Sequence, residues 1–182
     1  MNGFHRDNLL FSLCGLNCGL CPMHLNKYCP GCGGGEGNQS CKIAKCSLEH
    51  DGVEYCFQCS KYPCEKYSHI DEFDSFITHR NRIADLKKAK EAGIEAYNAE
   101  QAEKVEILNF LLNNNNDGRK KTLFFVAVNL LELPDINEIL VQIKSNSELD
   151  GFTLKEKSAY VAGLFQNAAK QKNIELKLRR KK

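Results

Sequence analysis

The sequence predicts an α-rich protein in which a small, irregular, metal-stapled N-terminal region of zinc-knuckle type packs on a bundle of about five helices. Three observations predict it. All ten cysteines fall between Cys14 and Cys64, about one residue in five over that stretch. The same stretch is poor in other apolar residues: Met23 to Cys64 offers only Met23, Leu25, Tyr28, Ile43, Ala44, Leu48, Val53, Tyr55, Phe57 and Tyr62. That is too little to offset the entropy of ordering the segment, whereas a bound structural zinc supplies on the order of 10 kcal/mol. After Cys64 the apolar residues recur every three to four positions, the helical period. The expected division is a cysteine-rich metal-binding module at 1–66 and a helical domain with a basic C-terminal tail at 67–182.

Within the module the cysteines stand at metal-ligand spacing: Cys14-x3-Cys18-x2-Cys21, Cys29-x2-Cys32, Cys41-x4-Cys46, Cys56-x2-Cys59 and Cys64. Two ligands separated by two residues reach one ion from a single tight turn. Cys29-Pro30-Gly31-Cys32-Gly33 is the most specific unit, because its proline and glycines shape a turn whose amides hydrogen-bond thiolates. Pairing by spacing joins Cys18 and Cys21 with Cys29 and Cys32, and Cys41 and Cys46 with Cys56 and Cys59. Cys14 and Cys64 are left over, able to replace a partner in either set, and an interleaved arrangement fits the spacing equally well. His24 and His50 lie inside the cluster and read as surface residues. Gly33 to Gly35 and Gly37 match no phosphate-binding motif and read as a connector.

A disulfide framework is the rival explanation of dense cysteine. The start of the chain, with only Leu9-Leu10-Phe11 as an apolar run and no small-residue cleavage site, does not read as a secretory signal. No stretch has the length of a membrane span. The expectation is a cytoplasmic protein without membrane attachment, where thiol clusters mean metal or redox chemistry. The net charge of +2 identifies no partner. The C-terminal residues Lys177, Arg179, Arg180, Lys181 and Lys182 set five basic groups against Glu175, a tail that offers nucleic acid a contact but lacks aromatic residues for stacking.

The helices follow in order. Ile70, Phe73, Phe76, Ile77, Ile83 and Leu86 mark the first, with Gly93 as its stop. Ala102, Val105, Leu108 and Leu112 mark the second, ending in Asn113–Asn116. The third runs from about Lys120 to Leu131 on Leu123, Phe124, Ala127, Leu130 and Leu131. Pro134 opens the fourth, carried by Ile136, Ile139, Leu140 and Ile143. Thr153 and Glu156 form a capping-box pattern opening the fifth, with Leu154, Val161, Leu164, Phe165 and Ala168 on its buried side. Alternating Ile174, Leu176 and Leu178 suggest a short final strand. Asp117-Gly118-Arg119-Lys120-Lys121 reads as a solvated turn, with anion binding at the following helix as the alternative.

With these residues in view, the chain resembles the DUF3795 family, prokaryotic cysteine-rich proteins of unknown function that are suspected of binding zinc. CGLNCGLCP at Cys14–Pro22, CPGC at Cys29–Cys32, CKIAKC at Cys41–Cys46 and YCFQCSKYPC at Tyr55–Cys64 carry the resemblance. DGRKK at Asp117–Lys121 and LLEL at Leu130–Leu133 extend it. It implies a metal-binding module with all ten cysteines as candidate ligands, namely Cys14, Cys18, Cys21, Cys29, Cys32, Cys41, Cys46, Cys56, Cys59 and Cys64, and it supplies no reaction. Cys14-x3-Cys18-x2-Cys21 also has the spacing of radical S-adenosylmethionine enzymes, but further cysteines and helices follow it where those enzymes need a partial βα barrel. No catalytic constellation is present, and filled four-thiolate sites leave no position for substrate. The expected function is that of a structural zinc protein holding two ions and serving as an interaction or ligand-binding module, with a protein partner possible. Thiolates alone do not choose between zinc and iron. An iron–sulfur redox or metal-handling protein is therefore the first alternative, and a nucleic-acid-binding zinc protein the second.

Overall fold

The computed structural model describes residues 3–35 and 41–181; Gly37 of the expected connector and Lys182 of the tail lie outside them. Among the described residues the regular structure is helical: α1 (Pro22–Leu25), α2 (Lys42–Leu48), α3 (Arg82–Ala92), α4 (Ile94–Asn114), α5 (Lys121–Leu130), α6 (Leu133–Ser145) and α7 (Leu154–Gln171). Four short 3₁₀ turns accompany them, three of which, Cys18–Leu20, Cys56–Gln58 and Glu65–Tyr67, lie in the cysteine region. None of the described helices is long and apolar enough to cross a membrane. The chain forms two compact units, one of Met1–Ala102 with Arg179–Lys182 and the other of Glu103–Leu178, the division falling inside α4.

In the first unit the cysteine region shares an apolar core with residues on both of its flanks. Phe11, Tyr55 and Tyr67 pack with Leu86 and Ala89 of α3 and Tyr97 of α4, all 6 % exposed or less, and Cys14, Cys56 and Cys64 pack against this cluster. A smaller cluster of Phe4, Leu13 and Ala44 meets Cys32 and Cys56. The region thus draws its apolar partners from the segment before Cys14 and from helices far downstream. Gly15 marks the tightest approach. Its φ is +92°, and a Cβ there would lie 2.3 Å from the Arg82 carbonyl oxygen and 2.8 Å from Leu86 Cγ. Only glycine fits this contact with α3.

The first expected helix is shorter than its periodicity suggests. Only Arg82–Ala92 is helical, Gly93 stops it with φ +88°, and residues 71–81 are turns. The cause is Asp74, whose carboxylate accepts the His79 N–H (2.7 Å) and the Thr78 hydroxyl (3.3 Å), competing with the helical ladder. The Asp74 N–H in turn donates to the Arg179 carbonyl (2.7 Å). The expected strand over Ile174, Leu176 and Leu178 is absent, the segment being coil. A strand needs a paired neighbour, and residues 174–178 have no described strand to pair with.

The second unit follows the sequence closely. α5 buries Phe124 to Leu130 without a break, as a central helix does. α7 packs on both α5 and α6, and Phe124 meets Phe165 edge to face at 5.9 Å. Pro134 sits in the first turn of α6. Thr153 and Glu156 close the capping box of α7, the Thr153 N–H donating to Glu156 Oε2 at 2.9 Å. The Asp117–Lys121 segment is a turn held from within. Asp117 Oδ1 accepts the Arg119 N–H (3.0 Å) and the hydroxyl of fully buried Ser158 on α7 (3.3 Å).

Candidate metal centre

All ten cysteines are among the described residues and each is a free thiol. The structure places them on turns and helix ends, where the backbone is free to present both a side chain and an amide. Cys18 opens a 3₁₀ turn and Cys21 precedes Pro22 of α1. Cys46 lies on α2, Cys56 opens the Cys56–Gln58 turn, Cys59 ends it, and Cys64 precedes the Glu65–Tyr67 turn.

A first group gathers Cys18, Cys21, Cys29 and Cys32, and backbone amides converge on its sulfurs. The Cys32 amide faces the Cys18 thiol, the Met23 and His24 amides face that of Cys21, and the Leu13 amide faces that of Cys32, each favouring the thiolate against the effect of burial. Amides aimed at sulfur are the outer contacts that orient and stabilise thiolate ligands. Burial pushes the Cys18 thiol up to about 12, and the neighbouring Cys32, Cys14 and Cys21 add to the effect. Burial also raises Cys21 and Cys32. The Cys29–Cys32 turn needs Gly31, whose φ is +95° and where a Cβ would lie 2.5 Å from the Leu9 carbonyl oxygen.

Arg6 supplies positive charge to this group. Only 8 % exposed, it pairs with Glu54 at 3.0 Å, donates to the carbonyls of Phe11 (2.9 Å) and Cys32 (3.4 Å), and lies over the Tyr55 ring at 5.0 Å. Its charge and a side-chain hydrogen bond act on the Cys32 thiol against the effect of burial.

A second group lines a small cavity of about 30 Å³ that opens to solvent. Cys46, Cys56, Cys59 and Cys64 face it, together with His50. Tyr62 and Tyr67 close one side, their rings edge to face at 4.9 Å, and Ile43 and Val53 add apolar wall. Burial pushes the Cys56 thiol up to about 12 against the pull of the Tyr67 hydroxyl, with Cys14, Cys64 and Cys46 raising it further. Cys14 acts on Cys18, Cys32 and Cys56 alike and so stands between the two groups. Cys64 lines the cavity, whereas exposed Cys41 does not.

The two histidines that read as surface residues are half-buried and hydrogen-bonded to cysteine backbone. The His50 ring donates from Nδ1 to the Cys46 carbonyl (2.8 Å), and the His24 ring donates from Nδ1 to the Cys29 carbonyl (3.1 Å). A signal was present in the chain: Cys46-x3-His50 places the imidazole one helical turn beyond a thiol. Arg6 and Tyr67 carried no such signal, because only the folded chain brings them to the sulfurs. Among the described residues, no three or more Cys, His, Asp or Glu side chains are arranged to hold a metal ion as they stand.

Fold and site define a helical protein with a thiol-rich N-terminal module. Residues 10–69, which hold all ten cysteines, match the model of a family described as a protein of unknown function, DUF3795. No curated protein and no solved structure matches the chain.

Proposed function

We propose that the DUF3795 segment is a metal-binding module that takes two zinc ions, and that the protein acts by binding a partner or ligand on the scaffold those ions hold together. The observation that carries this reading is the gathering of ten free cysteines on one module, with backbone amides facing the sulfurs of Cys18, Cys21 and Cys32. Neutral thiols gain little from such donors; thiolates bound to a cation gain much more. Cys18, Cys21, Cys29 and Cys32 would hold one ion, with Cys14 beside them. Cys46, Cys56, Cys59 and Cys64 would hold the other. The donor set fits a soft or borderline cation, and Arg6 offsets part of the negative charge that four thiolates leave on a divalent ion. Each ion would cross-link turns that lie far apart in the chain.

Elemental analysis of protein purified without oxygen tests the reading. A colourless sample with two zinc ions per chain supports it. A brown sample with visible absorbance and bound iron replaces it with an iron–sulfur centre. A metal-free, fully folded sample rejects both.

A further inference from the structure

We infer that the cavity lined by Cys46, His50, Cys56, Cys59 and Cys64 is an exchangeable soft-metal site with a mixed sulfur–nitrogen donor set, distinct from the closed thiolate group around Cys18 and Cys32. This rests on the metal-binding reading above and assigns the two groups different tasks.

Three observations carry it. The first is His50. Its Nδ1–H is committed to the Cys46 carbonyl at 2.8 Å, so in the neutral ring Nε2 keeps the lone pair. A backbone carbonyl on one ring nitrogen is the contact that fixes the tautomer of metal-ligating histidines. His50 also lines the cavity that the four thiols line.

The second is Tyr67. The residue is 6 % exposed, and its hydroxyl is buried without a hydrogen bond of normal geometry. It faces the Cys56 sulfur, the group it acts on. An orphaned buried hydroxyl costs roughly 1–3 kcal/mol, and a thiolate at Cys56 drawn in by a cation gives it an acceptor.

The third is the contrast between the groups. Sulfurs of the first face backbone amides, Cys21 those of Met23 and His24, Cys18 that of Cys32 and Cys32 that of Leu13. Cys46 and Cys56 instead meet side chains, the His50 ring at 3.7 Å from Cys46 Sγ and the Tyr67 hydroxyl, across a cavity with an open mouth.

Four thiols and one imidazole line the cavity, one donor more than a tetrahedral ion takes, and the cavity opens to solvent. One donor can therefore yield to an incoming small thiol or chelator without the others letting go, which is the requirement for ligand exchange at a tetrahedral ion. Amide-locked thiolates in a tight turn offer no such route.

The test uses the full chain loaded with zinc, its content verified, and a chromophoric chelator in excess. Two release phases of equal amplitude are expected, separated at least tenfold in rate. His50→Gln should speed the fast phase tenfold or abolish the fast-released ion, leaving the slow phase unchanged. Tyr67→Phe should keep both ions and quicken the fast phase severalfold. Cadmium-113 resonance on the unmodified chain provides a readout that needs no variant: one signal in the all-sulfur region and one shifted toward mixed sulfur–nitrogen coordination. Two ions released in a single phase, two all-sulfur cadmium signals, or a His50→Gln protein that behaves as the parent would overturn the inference while leaving the metal module standing. A chain that takes up no metal overturns the module itself.

Discussion

Asp74 and Arg179, 105 residues apart, are joined in both directions: the Asp74 N–H donates to the Arg179 carbonyl at 2.7 Å, and the Arg179 N–H donates to Asp74 Oδ2 at 2.8 Å. The Arg179 guanidinium adds a hydrogen bond to the Asp71 carbonyl and lies 3.6 Å from Asp74 Oδ1. The Asp74 side chain is fully buried. Part of the basic tail is therefore structural, and Arg179 is committed to an acid of the first unit.

Ending the chain at Leu178 leaves that carboxylate with fewer donors. Removing one partner of a buried charge costs on the order of 2–4 kcal/mol. The truncated protein should lose about that much stability in urea titration, while Arg180→Ala, at the tail's surface, should change it by less than about 0.5 kcal/mol.

The turn before Cys18 depends on a buried relay. The Tyr97 hydroxyl donates to Asn17 Oδ1 and Asn17 Nδ2 donates to Asp85 Oδ2, both at 2.9 Å. Tyr97→Phe removes the hydroxyl at one end of the relay and should cost about 1 kcal/mol, whereas Asn17→Ala removes the link that joins both partners and should cost about 2–3 kcal/mol. Thermal unfolding of the two variants checks the order; equal effects would show that the relay is not what holds the turn.

Gly15→Ala should be among the most damaging single-methyl changes in the first unit, at roughly 3 kcal/mol or more, because the new Cβ meets both Arg82 and Leu86 at positive φ. Gly52 also has positive φ, +65°, but nothing lies within 4 Å of a Cβ there. Gly52→Ala should cost only about 1 kcal/mol, the backbone penalty alone. Denaturant midpoints for the pair separate steric from conformational cost.

Burial, reinforced by the charge of Arg82, brings His79 down from 6.5 to about 4, while Asp74 and a hydrogen bond to Ile70 oppose the shift. Between those values the unfolded chain binds a proton that the folded chain refuses. The stability is whole above pH 6.5 and falls as pH drops toward 4, by on the order of 2 kcal/mol for a partly exposed ring. Burial works against Asp74, yet its donors hold that carboxyl below the usual range, so its contribution is lost only below the ordinary carboxylate pKa. His79→Gln should flatten the slope between pH 6.5 and 4 and leave the more acidic limb in place.

The second unit was legible because its elements are local. The period of Phe124 to Leu131, Pro134 at the start of α6 and the Thr153–Glu156 box each act within one or two turns of chain. Residues 71–81 kept the period of a helix but not the structure, since Asp74 turns its carboxylate onto Thr78 and His79 and takes a further donor, the Arg179 N–H, from the far end of the sequence. In the cysteine region the spacing pointed to thiols gathered in groups, and Cys18, Cys21, Cys29 and Cys32 do come together. It did not reveal that Cys64 rather than Cys41 would face the cavity with Cys46, Cys56 and Cys59, nor that Arg6, Tyr67 and the two histidines lie among the sulfurs. Those are long-range outcomes of packing on Phe11, Leu86 and Tyr97, and no local pattern encodes them.

The central claim is that metal holds the cysteine module in shape, and metal removal tests it most directly. The full chain should be stripped under reducing conditions, its metal content verified as zero, and limited proteolysis compared with that of the loaded protein. The account predicts that cleavage sites open within residues 10–69 on stripping and close again when zinc is restored, while α5, α6 and α7 stay resistant throughout. Equal protease resistance and unchanged circular dichroism in the verified metal-free chain would contradict it.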